Sequence, residues 1–392
     1  MSTWINMNQE DFPGFQDEEP GAQPARPSTK QTPVSVEYTD LVAVLNSTVS
    51  MGLFKIELLP ASHPLESGLN VLVDGFTVAI PKKTLKNAFL SARLVFFDNL
   101  KHLELFPKSQ EAVLDASAVL LLMMPEHLTA VNARKRIIMG WESQSQEKGR
   151  KRIIMDLWMI DSFFWSPLNK HTKSPTLWSH RKWLIQRIPS PESLQIERTC
   201  SLLSLGREGE VSMIALVAAE MHPRNYYAWG YLRWWVDENP DVLEDFGHCP
   251  NTQSTMDSTL LGLPRLTNTV IEWCLKHPSD TSGWSFLVWL ITGPDTCADG
   301  PLRLHGPFAT ISRNVLDRTR SLKLRNESVW VFLRTVMSSQ DMPHDIRQAF
   351  IEDAEAVIES EAERPKSQSI AQAALQWLIS HQRKQNGEQR DG

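Results

Sequence analysis

Apolar residues follow one period near the N-terminus and another beyond about residue 110. Leu53 to Leu59 and Asn70 to Ile80 read as strand-like. Within the second stretch, Val71-Leu72-Val73, then Asp74-Gly75, then Phe76-Thr77-Val78 predicts a hairpin closed by a tight primed turn. Further on the spacing becomes helical. Val211, Ile214, Ala215 and Ala218 share one helical face, as do Ile370, Ala373, Ala374, Trp377 and Leu378. No long strand alternation interrupts this part, which reads as all-α. Polar ends frame it. Residues 1–37 carry Pro13, Pro20, Pro24, Pro27 and Pro33 among acids and glutamines. Such a segment buries too little apolar surface to offset its chain entropy and is expected to be disordered. The division that follows is a leader (1–37), an N-terminal region with the hairpin (38–110), a helical region (111–380) and a disordered tail (381–392).

Self-comparison exposes a repeat. Trp178, Trp229, Trp284 and Trp330 sit in similar frames at spacings of 51, 55 and 46 residues. Four positions before each stands a residue suited to cap a helix: Ser174, Asn225, Asp280 and Asn326. Pro175 follows Ser174 at the first helical position, where its missing N–H costs nothing. Seven before the anchor come His171, His222 and His277, with Lys323 in the Trp330 copy. A cation ending one helix, a break, a cap and a Trp predict a helix–turn–helix unit.

A second Trp follows five residues after the anchor in three copies, as Trp183, Trp234 and Trp289. Positions five apart lie about 140° apart around a helix. Two bulky anchors so placed call for burial on two sides, the environment of stacked helix pairs. Leu128 to Ile138 fits the frame 47 residues before Trp178, with Val131 for the anchor and Arg136 for the second Trp. The expectation is therefore an α-solenoid of about five hairpins. Unpatterned stretches at Ser143–Arg152, Glu238–Pro264 and Gly293–Thr310 each follow a Trp-bearing helix, placing insertions on one edge.

Composition narrows the function classes. Of the 14 Trp, set against only 4 Tyr, seven occupy the two Trp positions of the repeat frame. A net charge of −6 argues against a broadly cationic nucleic-acid binder. The longest apolar run, Val113 to Met124, is broken by Asp115 and too short for a membrane span, and no signal peptide is visible at the N-terminus. The four cysteines lack paired spacing, which fits a reducing, cytoplasmic setting. Lys148, Arg150, Lys151 and Arg152 make one dense basic cluster, read as a solvated loop or, less simply, as a contact for an acidic partner or anionic lipid.

The stretches Pro175-Thr-Leu-Trp-Ser-His-Arg-Lys-Trp-Leu and Asn225-Tyr-Tyr-Ala-Trp-Gly-Tyr-Leu-Arg-Trp-Trp resemble the repeats of protein prenyltransferase α subunits, over roughly residues 126 to 340. That signature is Asn/Ser-x-x-x-Trp-x-x-Arg-x-Trp on the second helix of each pair. The non-repeat N-terminal part is more similar to the divergent α-subunit repeat-containing branch. The resemblance implies a right-handed α/α superhelix wrapped around a β subunit. It also implies a heterodimer that transfers farnesyl or geranylgeranyl from its diphosphate to a cysteine near a target protein's C-terminus. Zinc belongs to the β subunit in such enzymes, so none is expected in this chain.

In the family, a Lys and a Tyr of the third repeat approach the diphosphate. The matching positions are Arg224 and Tyr226. A guanidinium makes forked contacts to phosphate oxygens and a phenol donates one hydrogen bond. The bland alternative is a surface Arg and a Tyr packing at a helix start. Trp178, Arg181, Trp183, Asn225, Trp229, Trp234, Trp284, Trp289 and Trp330 are read as structural members of the repeat signature. The signature Arg is present as Arg181, while Leu232, Leu287 and Leu333 replace it later. A non-catalytic helical-repeat scaffold for protein–protein interaction is the second reading.

Overall fold

The computed structural model describes residues 34–47, 53–103, 106–188, 211, 214–239, 265–293, 307–360 and 365–388, apart from 61, 64 and 67. Among the described residues, fifteen helices accompany one three-stranded sheet. The fold is an all-α solenoid with a small N-terminal sheet.

The N-terminal region holds α1 (Val36–Ser47), β1 (Lys55–Leu59), β2 (Leu72–Asp74), β3 (Thr77–Pro81) and α2 (Lys82–Leu100). The hairpin is present but its turn lies one residue later than the sequence suggests. Asp74 pairs with Thr77, so Gly75-Phe76 forms the loop. Gly75 has φ +56° and Phe76 does not share the left-handed region, the pattern of a II′ turn with Gly at its first central position. The other strand-like stretch, β1, pairs in parallel with β3 and gives the order β1-β3-β2. On the outer edge of β1, the N–H of Ile56 donates to Ser166 Oγ at 2.7 Å, which satisfies an edge donor. Two helices, α1 and α2, flank the sheet in stretches for which the sequence pattern predicts no element. The apolar residues of α2 lie on all its sides, which hides a one-faced helical period.

The helical region begins with α3 (Pro107–Met123), α4 (Leu128–Gln144), α5 (Gln146–Trp165), α6 (Asn169–Thr172) and α7 (Pro175–Ile185). It continues through α8 (Leu216–Met221), α9 (Tyr226–Glu238), α10 (Arg265–Lys276) and α11 (Thr281–Thr292). The last four are α12 (Pro307–Ser321), α13 (Glu327–Met337), α14 (His344–Ser360) and α15 (Pro365–Glu388). The pairs α3/α4, α5/α7, α8/α9, α10/α11, α12/α13 and α14/α15 pack within themselves, and α4, α7, α9, α11, α13 and α15 pack each on the next. Among the described residues that makes six hairpins, the five of the repeat frame and a last pair, α14/α15, outside it. The tail expected to be disordered from residue 381 is helical as far as Glu388. Ser143–Arg152 is no loop either: Ser145 ends α4 and caps α5, its Oγ accepting from the N–H of Lys148. The other two insertions lie almost wholly outside the described residues, as do residues 1–33 of the leader.

The anchors Trp178, Trp229, Trp284 and Trp330 are buried. The first three each meet the aromatic two residues past the next anchor: Trp178–Tyr231 at 5.0 Å between ring centroids, Trp229–Phe286 at 5.1 Å and Trp284–Phe332 at 5.1 Å. Aromatic pairs at this range add about 0.5–1.5 kcal/mol beyond area burial. Repeat stacking is thus set by a Trp in one copy and a ring in the next.

Candidate functional site

Caps place the turns that carry the candidate residues. Ser174 Oγ accepts from the N–H of Leu177 at 3.0 Å, and Asp280 Oδ1 accepts from Ser282 and Gly283 at 3.0 and 2.9 Å. Asn225 and Asn326 make no side-chain cap bond. Buried Asn225 instead reaches across the repeat, its Nδ2 donating to the carbonyls of Thr172 at 2.8 Å and Ala218 at 3.2 Å. Trp178 Nε1 donates to the same Thr172 carbonyl at 2.8 Å. One carbonyl therefore joins the anchor of one copy to the Asn of the next.

Arg224 occupies the turn between α8 and α9 with φ +60°, a conformation costing a non-glycine residue roughly 1–3 kcal/mol. Its N–H donates to Asp280 Oδ2 at 2.5 Å, so the cap of the fourth copy also clamps the turn of the third. The guanidinium is exposed and has no side-chain partner among the described residues. Tyr226 opens α9, is 62% exposed and stacks against Tyr227 at 4.1 Å. The hydrogen bond with Tyr226 raises the Tyr227 phenol, and the charge of Glu126 acts the same way. Lys173, at the same frame position one copy earlier, is exposed, and its charge lowers His222 after burial has done so. Arg224, Tyr226 and Lys173 thus lie along the edge of inter-helix turns, with Glu126 as an acidic neighbour.

The remaining signature residues are interior. Arg181 is buried; its Nε donates to Asp161 Oδ1 at 2.7 Å, its Nη2 to Oδ2 at 3.2 Å, and its Nη1 to the Tyr231 hydroxyl. Sequence reasoning missed Arg134, three residues after the degenerate anchor Val131. Its Nε and Nη2 hold Asp156 at 2.8 and 2.7 Å, while Nη1 donates to the Leu114 carbonyl at 2.7 Å and Ser117 Oγ at 2.6 Å. Arg152, from the basic cluster, turns inward to the same carboxylate at 2.7 Å. His180 Nε2 lies 3.4 Å from it. Burial alone would raise Asp156, but Arg134 and Arg152 hold it well below the usual carboxylate range. The rest of the cluster divides: Lys148 lies over Trp141 and Lys151 pairs with Glu147.

The histidines seven residues before the anchors are not a row of helix-end cations. Burial pushes His171 down to about 4, so the neutral ring donates from Nε2 between the carbonyls of Leu122 at 2.9 Å and Leu121 at 3.1 Å. His277 stacks on Trp273 and bonds its carbonyl at 2.9 Å.

The second tryptophans are half-buried and capped by cations rather than enclosed. Lys135 lies over Trp183, Lys182 over Trp234, Arg233 over Trp289 and Arg334 over Trp377, at 4.9 to 5.7 Å from the ring centroids. Each cation stands four residues after its anchor, and in three cases the ring five after the next. Where the next copy has Thr335 instead of the Trp, the preceding copy has Val288 instead of the cation. That matched loss was readable from the sequence.

Among the described residues, no group of three or more His, Cys, Asp or Glu is placed to hold a metal, and no helix is long and apolar enough to cross a membrane.

Residues 177–299 match the family model described as the ECM9 middle domain. The chain is 30% identical over 186 residues to protein prenyltransferase alpha subunit repeat-containing protein 1 of Danio rerio, covering 45% of this chain and 37% of the relative. The human protein of that name is 27% identical over 195 residues, 47% of this chain and 40% of the relative. Geranylgeranyl transferase type-2 subunit alpha of Mus musculus is 29% identical over 244 residues, 60% of this chain and 35% of the relative. The matches span less than half the length of these relatives. The chain resembles the prenyltransferase α-subunit repeat proteins, most of all the repeat-containing branch.

Proposed function

We propose that the chain is the α-type subunit of a heterodimeric protein prenyltransferase. With a β subunit it would transfer farnesyl or geranylgeranyl from the diphosphate to a cysteine near the target protein's C-terminus. The cysteine sulfur forms a thioether with the first isoprenoid carbon as that carbon's bond to the diphosphate oxygen breaks. Zinc, on the β subunit, would supply thiol activation, and no cofactor is assigned to this chain. We also assign it to the reducing cytoplasm, on the unpaired spacing of its cysteines.

One observation carries the reading. A guanidinium with no side-chain partner among the described residues is held on a clamped left-handed turn, two residues before an exposed tyrosine. This arrangement suits a departing diphosphate, whose developing charge is stabilised by preorganised donors. A second reading, a scaffold without catalysis, is favoured by the Leu residues at the signature-Arg position in three copies and by Arg224 where the family has Lys.

Co-expression with each prenyltransferase β subunit of the cell, followed by purification through this chain, separates the two. The enzyme reading expects a stoichiometric β partner and thioether formation. Arg224→Ala with Tyr226→Phe should lower turnover by about 10²-fold with the heterodimer intact. Capture of no β subunit by a folded chain would establish the scaffold instead.

A further inference from the structure

The helix α2 carries two apolar faces. One of them, with Thr84, Leu85, Ala88, Ser91, Ala92 and Phe96, is buried. The opposite face leaves Leu90, Leu94 and Phe97 between 42% and 52% exposed. These three stand at i, i+4 and i+7, within about 60° of one another around the helix axis, and form one ridge. The other exposed residues of α2 are Lys82, Lys83, Lys86, Arg93 and Asp98, and exposed Lys101 follows the helix. Lys83 and Lys101 extend the line of the ridge at its two ends. Lys82, Lys86 and Arg93 flank one side, and Asp98 stands on the other. Glu37 of α1 adds a second acid on that side, its Oε1 accepting from Asn87 Nδ2 at 2.9 Å. Five cations against two acids surround this ridge in a chain whose net charge is −6.

We propose that this face docks the protein on an anionic membrane surface. Leu90, Leu94 and Phe97 enter the boundary between headgroups and acyl chains, and the flanking Lys and Arg pair with lipid phosphates and carboxylates. The cationic surround selects this occupant, because a neutral apolar partner would leave the charges unmatched. The fixed helix keeps the ridge presented without any folding step. Each cation near such a surface strengthens binding about fivefold. The inference rests on α2 alone and is independent of Arg224 and Tyr226.

The test is co-sedimentation of the full chain with vesicles of phosphatidylcholine alone or enriched in phosphatidylserine. Binding should require phosphatidylserine and weaken as salt screens the charges. Lys86→Glu with Arg93→Glu should weaken it by about 25-fold or more. Leu90→Ser with Leu94→Ser and Phe97→Ser should abolish it. Lys86→Glu with Arg93→Glu changes exposed side chains only and should leave thermal melting unchanged. Leu90, Leu94 and Phe97 are half-covered by the fold, so the triple variant is read beside its own melting curve, which should stay cooperative. Arg136→Glu, at an exposed position of α4, should leave binding intact. Absence of binding, equal binding by the α2 variants, or equal binding to phosphatidylcholine alone would overturn the proposal. So would a dimer on size exclusion that Leu94→Ser splits, because the ridge would then belong to a second copy.

Discussion

Three residues after the anchor, the first two copies of the repeat bury Arg134 and Arg181, whereas the later three bury Leu232, Leu287 and Leu333. The frame is the same and the chemistry is opposite. An arginine there demands a carboxylate, and α5 supplies both, Asp156 and Asp161. A leucine demands only shape. Taking two charges out of water costs several kcal/mol per ion, which their attraction only roughly offsets, so the arginines bring direction more than stability. Their hydrogen bonds reach fixed atoms on α3, α5 and α9, and His171 adds two carbonyls at the end of α3. At this frame position the N-terminal end of the solenoid is therefore held by directed polar contacts, and the C-terminal end by apolar packing.

The largest expected effect comes from breaking the most connected group. Asp156→Ala would leave Arg134 and Arg152 buried without their carboxylate, at a cost of about 3–5 kcal/mol by denaturant unfolding. Leu287→Ala, in the apolar half, should also cost about 2–5 kcal/mol, but through a cavity. The two part on pH. The depressed Asp156 contributes stability that is present above its unfolded value near 4 and fades below it. Leu287→Ala should keep that acid dependence, and Asp156→Ala should lose it.

Next in size is the pH dependence of His171. Its folded value is about 4 against an ordinary 6.5, so the unfolded chain takes up the proton first. Stability is fully present above about pH 6.5 and is lost as pH falls towards 4, by roughly 3 kcal/mol in all. Buried His180, lowered by desolvation, adds in the same direction. His171→Gln keeps a donor for the carbonyls and removes the titration. Unfolding followed from pH 7 to 4 should show a shallower slope for the variant, and an unchanged slope would mean His171 is protonated in the folded state.

A smaller effect sharpens the comparison directly. If Leu and Arg–Asp are equivalent fillings, Arg181→Leu with Asp161→Leu should stay within about 1 kcal/mol of the parent, while Asp161→Ala alone costs about 3–5 kcal/mol. A double variant as damaged as the single one would show that the second copy cannot adopt the chemistry of the third.

The repeat itself was legible because its anchors are rare residues, and the caps at Ser174 and Asp280 because a short polar side chain before a helix has one favourable role. Arg134 escaped because Val131 disguises its copy. α2 escaped because Leu90, Leu94 and Phe97 point away from the core and erase the helical period. The histidine positions were readable, but their charge was not, since burial decides it and burial depends on the neighbouring copy. Asn225 has the composition of a cap and serves instead as a bridge between repeats, a choice made by the distance to Thr172 rather than by local sequence.

The smallest effect concerns the ladder of cations over rings, which crosses from the polar half into the apolar one. Lys182 belongs to the second copy and covers Trp234 of the third at 5.1 Å. Lys182→Met keeps the length and apolar stem of the side chain and removes only the charge, so its cost isolates the attraction to the indole, about 0.5–1 kcal/mol for a partly exposed pair. Asp237 lies close enough for its charge to be felt by Lys182, and removing the lysine also relieves Asp237 of a partner. The double variant Lys182→Met with Asp237→Asn separates the two terms. Should the loss persist there and vanish when Trp234 is replaced by Leu, the ring holds the cation. If Lys182→Met costs nothing with Trp234 present, the boundary between the two halves rests on the contacts of Trp178 and Arg181 with Tyr231 and of Asn225 with Thr172.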